Sequence, residues 1–263
     1  MDKLRVLLLP VLLLQFVALA SVAPPSSTPK KSVSGMALIA RSLAAMRGSS
    51  VLPMDSQATG TITFGDQSMH ILYKTHGAGQ LRAEVDKTAG KSVLILNAGR
   101  GQVQQPDGSV RNLLHNNTYG QRIEHIPALS LLAELDNSEV EVADPVAGDV
   151  NGNGADAVTL SMAPASASAK ETAGYKKVSG TKFFLDRVSG YVTAIEYLNF
   201  AENDPGSTSL MRTVYSDYRN VNGIAVPFQQ ATFMDGVLIS SLVLDAVSFD
   251  VTWPAAEFEL TTG

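Results

Sequence analysis

Through most of the chain, apolar and polar residues alternate in short runs. In the first of these runs, Ala58, Gly60, Ile62 and Phe64 alternate with threonines, which is the period of a strand that buries one face. Turn sequences separate the runs, and Asp235-Gly236 is a two-residue hairpin signal. The pattern predicts a sheet of about ten short strands, most of them antiparallel to their sequence neighbours.

Two segments break this alternation and have helical spacing instead. Residues 35–47 place Ile39 and Leu43 one turn apart and predict an N-terminal helix. Residues 127–135 begin with proline, are rich in leucine, and predict a short mid-chain helix. A single helix of this length is marginal on its own, so we expect both to pack on the sheet. Residues 163–173, which are mostly alanine and serine, are expected to form a mobile loop.

The N-terminal segment has the features of an export signal. Lys3 and Arg5 precede an apolar stretch, and Ala18-Leu19-Ala20 supplies the small-residue pattern that signal peptidase recognises. We therefore expect a signal peptide over residues 1–20. The alternative is an uncleaved membrane anchor, because the apolar stretch approaches the length of a membrane span. Residues 21–34 are rich in proline and serine and predict a flexible linker.

The composition narrows the classes of function. The chain has no cysteine, which excludes disulfides, thiolate metal sites, a cysteine nucleophile and a lipid-modified N-terminal cysteine. It has 25 acidic and 20 basic residues, and therefore a net charge of −5. A chain with this charge lacks the excess of basic residues by which proteins bind nucleic acid or an anionic membrane surface. Hydrophobic residues make up 45% of the chain, which is enough for a substantial core.

The sequence lacks the usual catalytic motifs. It contains no GxSxG nucleophile elbow and no HExxH metal-binding pair. Its histidines, His70, His76, His115 and His125, are isolated from one another along the chain, so a metal site would have to be assembled across the fold. We therefore predict that the protein is not an enzyme and uses no cofactor.

One segment resembles the first half of a calcium-binding loop. Asp149, Asn151 and Asn153 place oxygen atoms at alternate positions around a glycine, as a hard cation requires. The position of the bidentate glutamate is occupied by Leu160, however, so calcium is only a weak candidate. A hairpin turn suits the repeated Asn-Gly sequence equally well and is the preferred interpretation.

Two adjacent predicted strands, residues 182–186 and 191–200, are rich in aromatic and aliphatic residues on both faces. An antiparallel sheet with one face in water would alternate more regularly. Either other elements cover both faces, or one face lines an apolar cavity.

Motifs in the C-terminal third carry a family resemblance. The sequences KFFLD at 182–186 and YSDYRNVNGIAVPF at 215–228, with Asp235-Gly236 and a closing strand, resemble the ending of the outer-membrane lipoprotein carrier (LolA-like) superfamily. The order of the predicted helices and strands is also compatible with that superfamily. One departure is that the carriers have an Arg-Pro pair where this chain has Thr75-His76-Gly77, and Arg82 is the nearest equivalent.

The resemblance implies an α+β fold for residues 35–263: a single curved, mostly antiparallel sheet that forms an incomplete barrel, with the two helices on its concave side. It also implies an apolar cavity that holds acyl chains by desolvation. The resemblance and the apolar density of the strands together predict the lining residues Ile62, Phe64, Ile71, Tyr73, Arg82, Leu94, Leu129, Leu132, Phe183, Leu185, Ile195 and Tyr197.

The leading functional hypothesis is a periplasmic, non-catalytic carrier for an acylated or other lipid-like ligand, with lipoprotein trafficking as one role. An alternative is a structural or assembly factor of the cell envelope that presents its sheet to a protein partner. A hydrolase is the third interpretation. The expected partners are a lipid, an acyl chain or a lipoprotein, and no nucleic acid. Membrane contact is expected only transiently or through an uncleaved signal anchor.

Overall fold

The computed structural model describes most of the chain beyond the predicted export signal. The described residues are 30–48, 53, 55–77, 79–97, 99–121 and 126–261. The predicted signal peptide at 1–20 and most of the predicted linker at 21–34 lie outside the described residues. Among the described helices, none combines the length and the hydrophobicity that crossing a bilayer requires.

Strands dominate the described chain. The helices are α1 (Val33–Arg47), α2 (His115–Gln121), α3 (Pro127–Asp136) and α4 (Ala169–Ser179), with a 3-10 turn at Ala255–Phe258. The strands are β1 (Asp55–Phe64), β2 (Gln67–His76), β3 (Gln80–Lys87), β4 (Gly90–Asn97), β5 (Arg100–Gln104), β6 (Val110–Asn112), β7 (Val140–Val142), β8 (Val146–Val150), β9 (Asn153–Met162), β10 (Thr181–Asp186), β11 (Val192–Ala201), β12 (Asp204–Val221), β13 (Ile224–Met234) and β14 (Val237–Ser248). Helices α1 and α3 occupy the two segments where helices were predicted.

These strands join one large antiparallel sheet. The strand order is β6-β5-β4-β3-β2-β1-β14-β13-β12-β11-β10-β9-β7, and β8 also pairs with β9. The sheet is open, since β6 forms one edge and β7 with β8 forms the other. The predicted α+β class with an open antiparallel sheet is confirmed. The predicted number of about ten strands is too low, because β6 and β8, with 3 and 5 residues, are too short for an alternating pattern to be recognised.

The sheet curls around one face, which we call the inner face. Arg111 of β6 and Tyr197 of β11 line the same cavity. In the sheet order, however, β5, β4, β3, β2, β1, β14, β13 and β12 lie between these two strands. Only a strongly curved sheet brings such distant strands together. Helices α1 and α3 pack against each other and against β13, in agreement with the predicted incomplete barrel with helices on its concave side.

Helix α1 forms where the predicted apolar stripe lies. Its start is capped by Ser32, whose side chain accepts a hydrogen bond from the backbone N–H of Gly35 at 3.1 Å. Ile39, Leu43 and Met46 have exposed fractions of 0%, 8% and 1%. The predicted stripe is therefore the face that packs into the core.

The larger core cluster fills the inner face between the helices and strands β9 to β12. Phe183, Leu185 and Ile195 are fully buried there, in one cluster with Ile39 of α1 and Leu131 of α3. Side chains thus fill this part of the curved sheet.

The outer face of the same strands is covered as well. Phe184 of β10 is buried in a smaller cluster with Val150 of β8, Ala157 of β9 and Ala194 of β11. Both faces of these strands are therefore covered by other groups. This explains why the sequence of β10 and β11 does not alternate as it would in a sheet with one wet face.

The predicted mobile loop at 163–173 is wrong in its second half, because α4 begins at Ala169. A capping box starts this helix: the Glu171 carboxylate accepts from the backbone N–H of Ser168 at 2.8 Å, and the Ser168 hydroxyl oxygen accepts from the Glu171 N–H at 3.3 Å. The helix also contacts β9, since the Ser179 hydroxyl accepts from the backbone N–H of Met162 at 2.8 Å. The prediction was based on the alanine- and serine-rich composition of the segment and did not take this capping box into account.

The last described residues cross the outer face of β1 to β5, and we call residues 249–261 the C-terminal strap. The indole N–H of Trp253 donates to the carbonyl of Ser56 on β1 at 3.1 Å. Further along the strap, the side chain of Asn97 on β4 donates to the carbonyl of Phe258 at 3.0 Å. The Phe258 side chain is fully buried. The strap therefore seals this part of the outer face.

Candidate functional site

An apolar groove lies on the inner face, beside the part that the helices fill. Its volume is about 340 Å³, near the lower end of the range of about 300–1,000 Å³ for small-molecule pockets. Its walls come mainly from β1 to β6 on one side and from β11 to β14 on the other. The lining residues are Ile62, Phe64, Ile71, Tyr73, Leu81, Ala83, Val85, Ser92, Leu94, Val103, Arg111, Leu113, Tyr197, Met211, Thr232, Ile239 and Ser240.

One row of cross-strand partners forms the wall on the β2 to β6 side. Tyr73 of β2 is opposite Ala83 of β3, which is opposite Leu94 of β4. The row continues through Val103 of β5 to Arg111 of β6. Residues directly opposite each other point to the same face of a sheet, so all five side chains are on the inner face. The small side chain of Ala83, between two larger neighbours, leaves space for a ligand.

Half of the predicted lining residues surround this groove. Strands β1 and β2 contribute four of them at alternate positions, because side chains two residues apart point to the same face. The remaining two come from β4 and β11. The predicted residues that line the groove are Ile62, Phe64, Ile71, Tyr73, Leu94 and Tyr197.

Five other predicted residues lie on or near the inner face but outside the groove. Phe183, Leu185 and Ile195 are packed under α1 and α3 in the larger core cluster. Leu129 of α3 packs against a second core cluster on β1, β2, β13 and β14. Leu132 of α3 is 40% exposed to solvent. The helices thus occupy the space that these residues were expected to enclose.

Arg82 is on the outer face and does not line the groove. Its guanidinium donates to the carboxylate of Glu84 at 2.6 Å, and Lys91 donates to the other oxygen of that carboxylate at 2.6 Å. Arg82 also donates to the carbonyl of Glu257 in the C-terminal strap at 3.5 Å. Burial alone would raise the pKa of Glu84, but the hydrogen bonds from Lys91 and Arg82 outweigh it and hold the pKa below its usual value. Arg82 is therefore a structural partner of the strap.

Sequence reasoning missed several lining residues. Ala83 and Val85 on β3 have the same alternation as β1 and could have been identified from it. Arg111 could not, because a charged residue in a three-residue strand gives no apolar signal. Met211 and Ile239 belong to strands far away in the sequence, which only the curvature of the sheet brings to the groove.

Helix α2 bridges two strands from distant parts of the sheet, β5 and β11. The side-chain amide of Asn117 donates to the carbonyl of Phe200 on β11 at 2.9 Å, and its oxygen accepts from the Phe200 N–H at 2.8 Å. At the other end, the carbonyl of Gly99, just before β5, lies 2.7 Å from the Nδ1 atom of His115 and 3.0 Å from the hydroxyl of Thr118, which also lies 2.7 Å from the carbonyl of His115. The helix therefore holds the two walls of the groove at a fixed separation.

The substitution Asn117→Leu is expected to lower the free energy of unfolding by about 2–3 kcal/mol, because it leaves the buried N–H and carbonyl of Phe200 without partners. Urea unfolding at neutral pH measures the change. Asn116→Leu, at the partly exposed neighbouring position, is the control and should have little effect. Equal unfolding midpoints for the two variants would show that the bridge contributes nothing to stability.

An ion pair joins the two walls at the edge of the groove. Arg111 of β6 contacts Glu202, which lies in the turn between β11 and β12. The two side chains are 48% and 49% exposed, so solvent reaches both. This pair and α2 both connect the β5–β6 edge of the sheet to β11.

The weak calcium candidates form a hairpin turn. Asn151 and Gly152 have positive φ angles of 53° and 84° between β8 and β9, so the predicted hairpin is confirmed. The Asp149 carboxylate accepts from the backbone N–H of Gly152 at 2.7 Å and so belongs to the turn, which ends at Asn153. Over the described residues, no three or more histidine, aspartate or glutamate side chains come close enough together to hold a metal ion.

The described histidines also lie apart from one another. His70 is paired with Asp86 at 3.4 Å, and His76 with Asp55. His115 lies at 2.7 Å from the carbonyl of Gly99. His125 lies outside the described residues.

The sequence matches no protein-family model and no curated protein. Solved structures, however, have the same architecture. A domain named for outer-membrane lipoprotein sorting, from Vibrio parahaemolyticus, is similar with a TM-score of 0.53 and 13% identity, over 85% of this chain and 95% of that one. A DUF1329 family protein from Desulfovibrio piger is similar with a TM-score of 0.53 and 13% identity, over 86% and 95%.

A LolA superfamily protein from Nitrosomonas europaea is also similar, with a TM-score of 0.52 and 9% identity, over 87% of this chain and 99% of that one. At such low identity these likenesses establish the fold alone. The fold implied by the C-terminal motifs is confirmed, since the chain has the architecture of these solved structures, one of which is a LolA superfamily protein.

Proposed function

We propose that this protein is a periplasmic, non-catalytic binding protein or carrier that takes up one acyl chain, or a similarly apolar ligand, in the groove. The observation that carries the proposal is the open, mostly apolar groove of about 340 Å³ on the inner face of the sheet. Burying an alkyl chain in such a groove is favourable by about 0.8 kcal/mol per methylene. The predicted export signal supports a periplasmic location.

The size of the groove favours a single chain. Its volume is near the lower limit for small-molecule pockets, and the helices fill the neighbouring part of the inner face with Phe183, Leu185 and Ile195. A lipoprotein could therefore place one of its acyl chains in the groove. Lipoprotein trafficking is therefore a more specific version of the proposed carrier function.

The lining also favours binding over catalysis. None of the described residues that line the groove is a carboxylate or a histidine, and the Glu202 carboxylate at its edge is paired with Arg111. General acid–base chemistry depends on such groups within reach of the substrate. The groove instead offers mostly apolar surface, with a few hydroxyl groups and the guanidinium of Arg111 at its walls.

Titration of the delipidated mature protein with a fluorescent fatty-acid probe tests the proposal. We expect saturable binding at one site and displacement of the probe by unlabelled palmitate. A signal that rises linearly, with no saturation and no displacement, would show that the groove does not bind fatty acids and would contradict the proposal. Mass spectrometry of lipids that co-purify with the protein would then identify the chain that is carried.

A second candidate function is docking to an envelope protein, and the tip of the β13–β14 hairpin favours it. Leu210, Met234, Val237 and Leu238 are 43%, 39%, 66% and 56% exposed there. Met234 and Val237 are opposite each other across the hairpin and share one face of its tip. Leu210 and Leu238 are on the other face, because Leu210 is next to the partner of Met234 and Leu238 is opposite Phe233. Both faces of the tip therefore present exposed apolar side chains. A docking factor needs no lipid, so the titration with the fatty-acid probe separates the two functions.

A further inference from the structure

Arg111 differs from every other described residue that lines the groove, because it alone carries a charge. It is the last member of the row that runs from Tyr73 through Ala83, Leu94 and Val103. That row crosses four strand spacings, about 19 Å at about 4.8 Å each. An alkyl chain can therefore lie along the apolar part of the row while a polar group at its end reaches the guanidinium.

The present partner of Arg111 can be exchanged at low cost. Arg111 and Glu202 are each about half exposed, and ion pairs between exposed side chains contribute little to stability. The guanidinium also presents several N–H groups in one plane, a geometry that matches a carboxylate or a phosphate with two parallel hydrogen bonds. An incoming anion would therefore replace the Glu202 carboxylate with another negatively charged group.

We propose that the groove binds a single-chain amphiphile with an anionic head group, a carboxylate or a phosphate, and that this head group binds Arg111 in place of Glu202. The inference rests on the proposed function and names the class of its ligand. The apolar wall binds the chain, and Arg111 selects the head group. Glu202 competes for the same guanidinium and weakens the binding of anionic ligands.

Competition against the fluorescent fatty-acid probe at pH 7.5 tests this assignment with three ligands of one chain length: dodecanoate, dodecyl phosphate and the uncharged dodecanol. The wild-type protein should bind at least one anionic ligand more tightly than dodecanol. Arg111→Gln should weaken that ligand about tenfold and leave dodecanol unchanged, because only the anion loses charged hydrogen bonds. Glu202→Gln should act in the opposite direction and tighten the anion several-fold. The anion that depends more on Arg111 identifies the head group as carboxylate or phosphate.

Arg187→Gln is the matched control. Arg187 is 49% exposed and is paired with Asp156 at 2.9 Å, but it lies on the turn after β10 and does not line the groove. This variant removes the same charge and the same kind of ion pair, so it should change none of the three affinities.

The outcomes separate this inference from the proposed function. Binding of all three ligands with equal affinity, unchanged in Arg111→Gln, would overturn the role of Arg111 and leave the carrier function standing. An equal loss of anion binding in Arg111→Gln and Arg187→Gln would overturn it too, since net charge alone would then explain the effect. Binding of none of the three ligands would overturn the proposed function and the inference together.

Discussion

Replacing Ala83 with tryptophan is expected to weaken binding of the fatty-acid probe by about 100-fold while the protein remains folded. Ala83 is in the middle of the groove wall, between Tyr73 and Leu94, and its side chain points to the inner face. An indole at this position would occupy space that about four methylene groups of the ligand would otherwise fill. At about 0.8 kcal/mol per methylene this removes about 3 kcal/mol of binding free energy, or about two powers of ten in affinity.

The control for this variant is Thr61→Trp. Thr61 is exposed on the outer face of β1, opposite His70 of β2, so the same large side chain is added to the sheet without entering the groove. Both proteins are compared by probe titration and by urea unfolding. Wild-type affinity in a well-folded Ala83→Trp protein would show that the ligand binds elsewhere.

The parts of the fold that the sequence predicts well are those set by short local signals, such as turn sequences. Asp235 and Gly236 have positive φ angles of 49° and 81° between β13 and β14, as the predicted two-residue hairpin requires. Such a turn depends on two adjacent residues, and helix α1 similarly depends on a stripe within one short segment. Strand β6 could not be predicted, because 3 residues do not establish a period and its pairing with β5 is set by tertiary structure.

The site was harder to predict because its shape depends on distant parts of the chain. Alternation is enough to put Ile62 and Ile71 on the same face of neighbouring strands. It cannot show that α1 and α3 pack over Phe183 and Ile195, so that the groove is confined to the other part of the inner face. Arg82 is different: it stands between two inner-face residues of β3, so alternation alone assigns it to the outer face, and only the family resemblance had suggested it.

The position of the groove also separates binding from stability. The groove and the C-terminal strap lie on opposite faces of the same strands, β1 to β5. A change in the groove should therefore reduce ligand binding with little change in unfolding, and a change in the strap should do the reverse. Phe258 allows the second half of this expectation to be tested.

The substitution Phe258→Ala is expected to lower the free energy of unfolding by about 3–5 kcal/mol, the usual cost of removing a fully buried phenylalanine side chain. Phe258 is 0% exposed, and its ring centre lies 6.2 Å from that of His76 on the outer face of β2. The strap would keep the hydrogen bond that it accepts from Asn97 and the one that Trp253 donates to Ser56, but the cavity left by the ring would expose or loosen the outer face. Urea unfolding followed by circular dichroism measures the change.

Glu259→Ala, at the exposed neighbouring position, is the control and should unfold at nearly the wild-type urea concentration. Below the unfolding transition, Phe258→Ala should still bind the fatty-acid probe with close to wild-type affinity, because the wall residues Tyr73, Ala83 and Leu94 are on the opposite face of the sheet. A loss of stability below about 1 kcal/mol would mean that the strap is only loosely attached to the sheet. A loss of probe binding in the folded variant would mean that the two faces are coupled, and that the strap helps to set the shape of the groove.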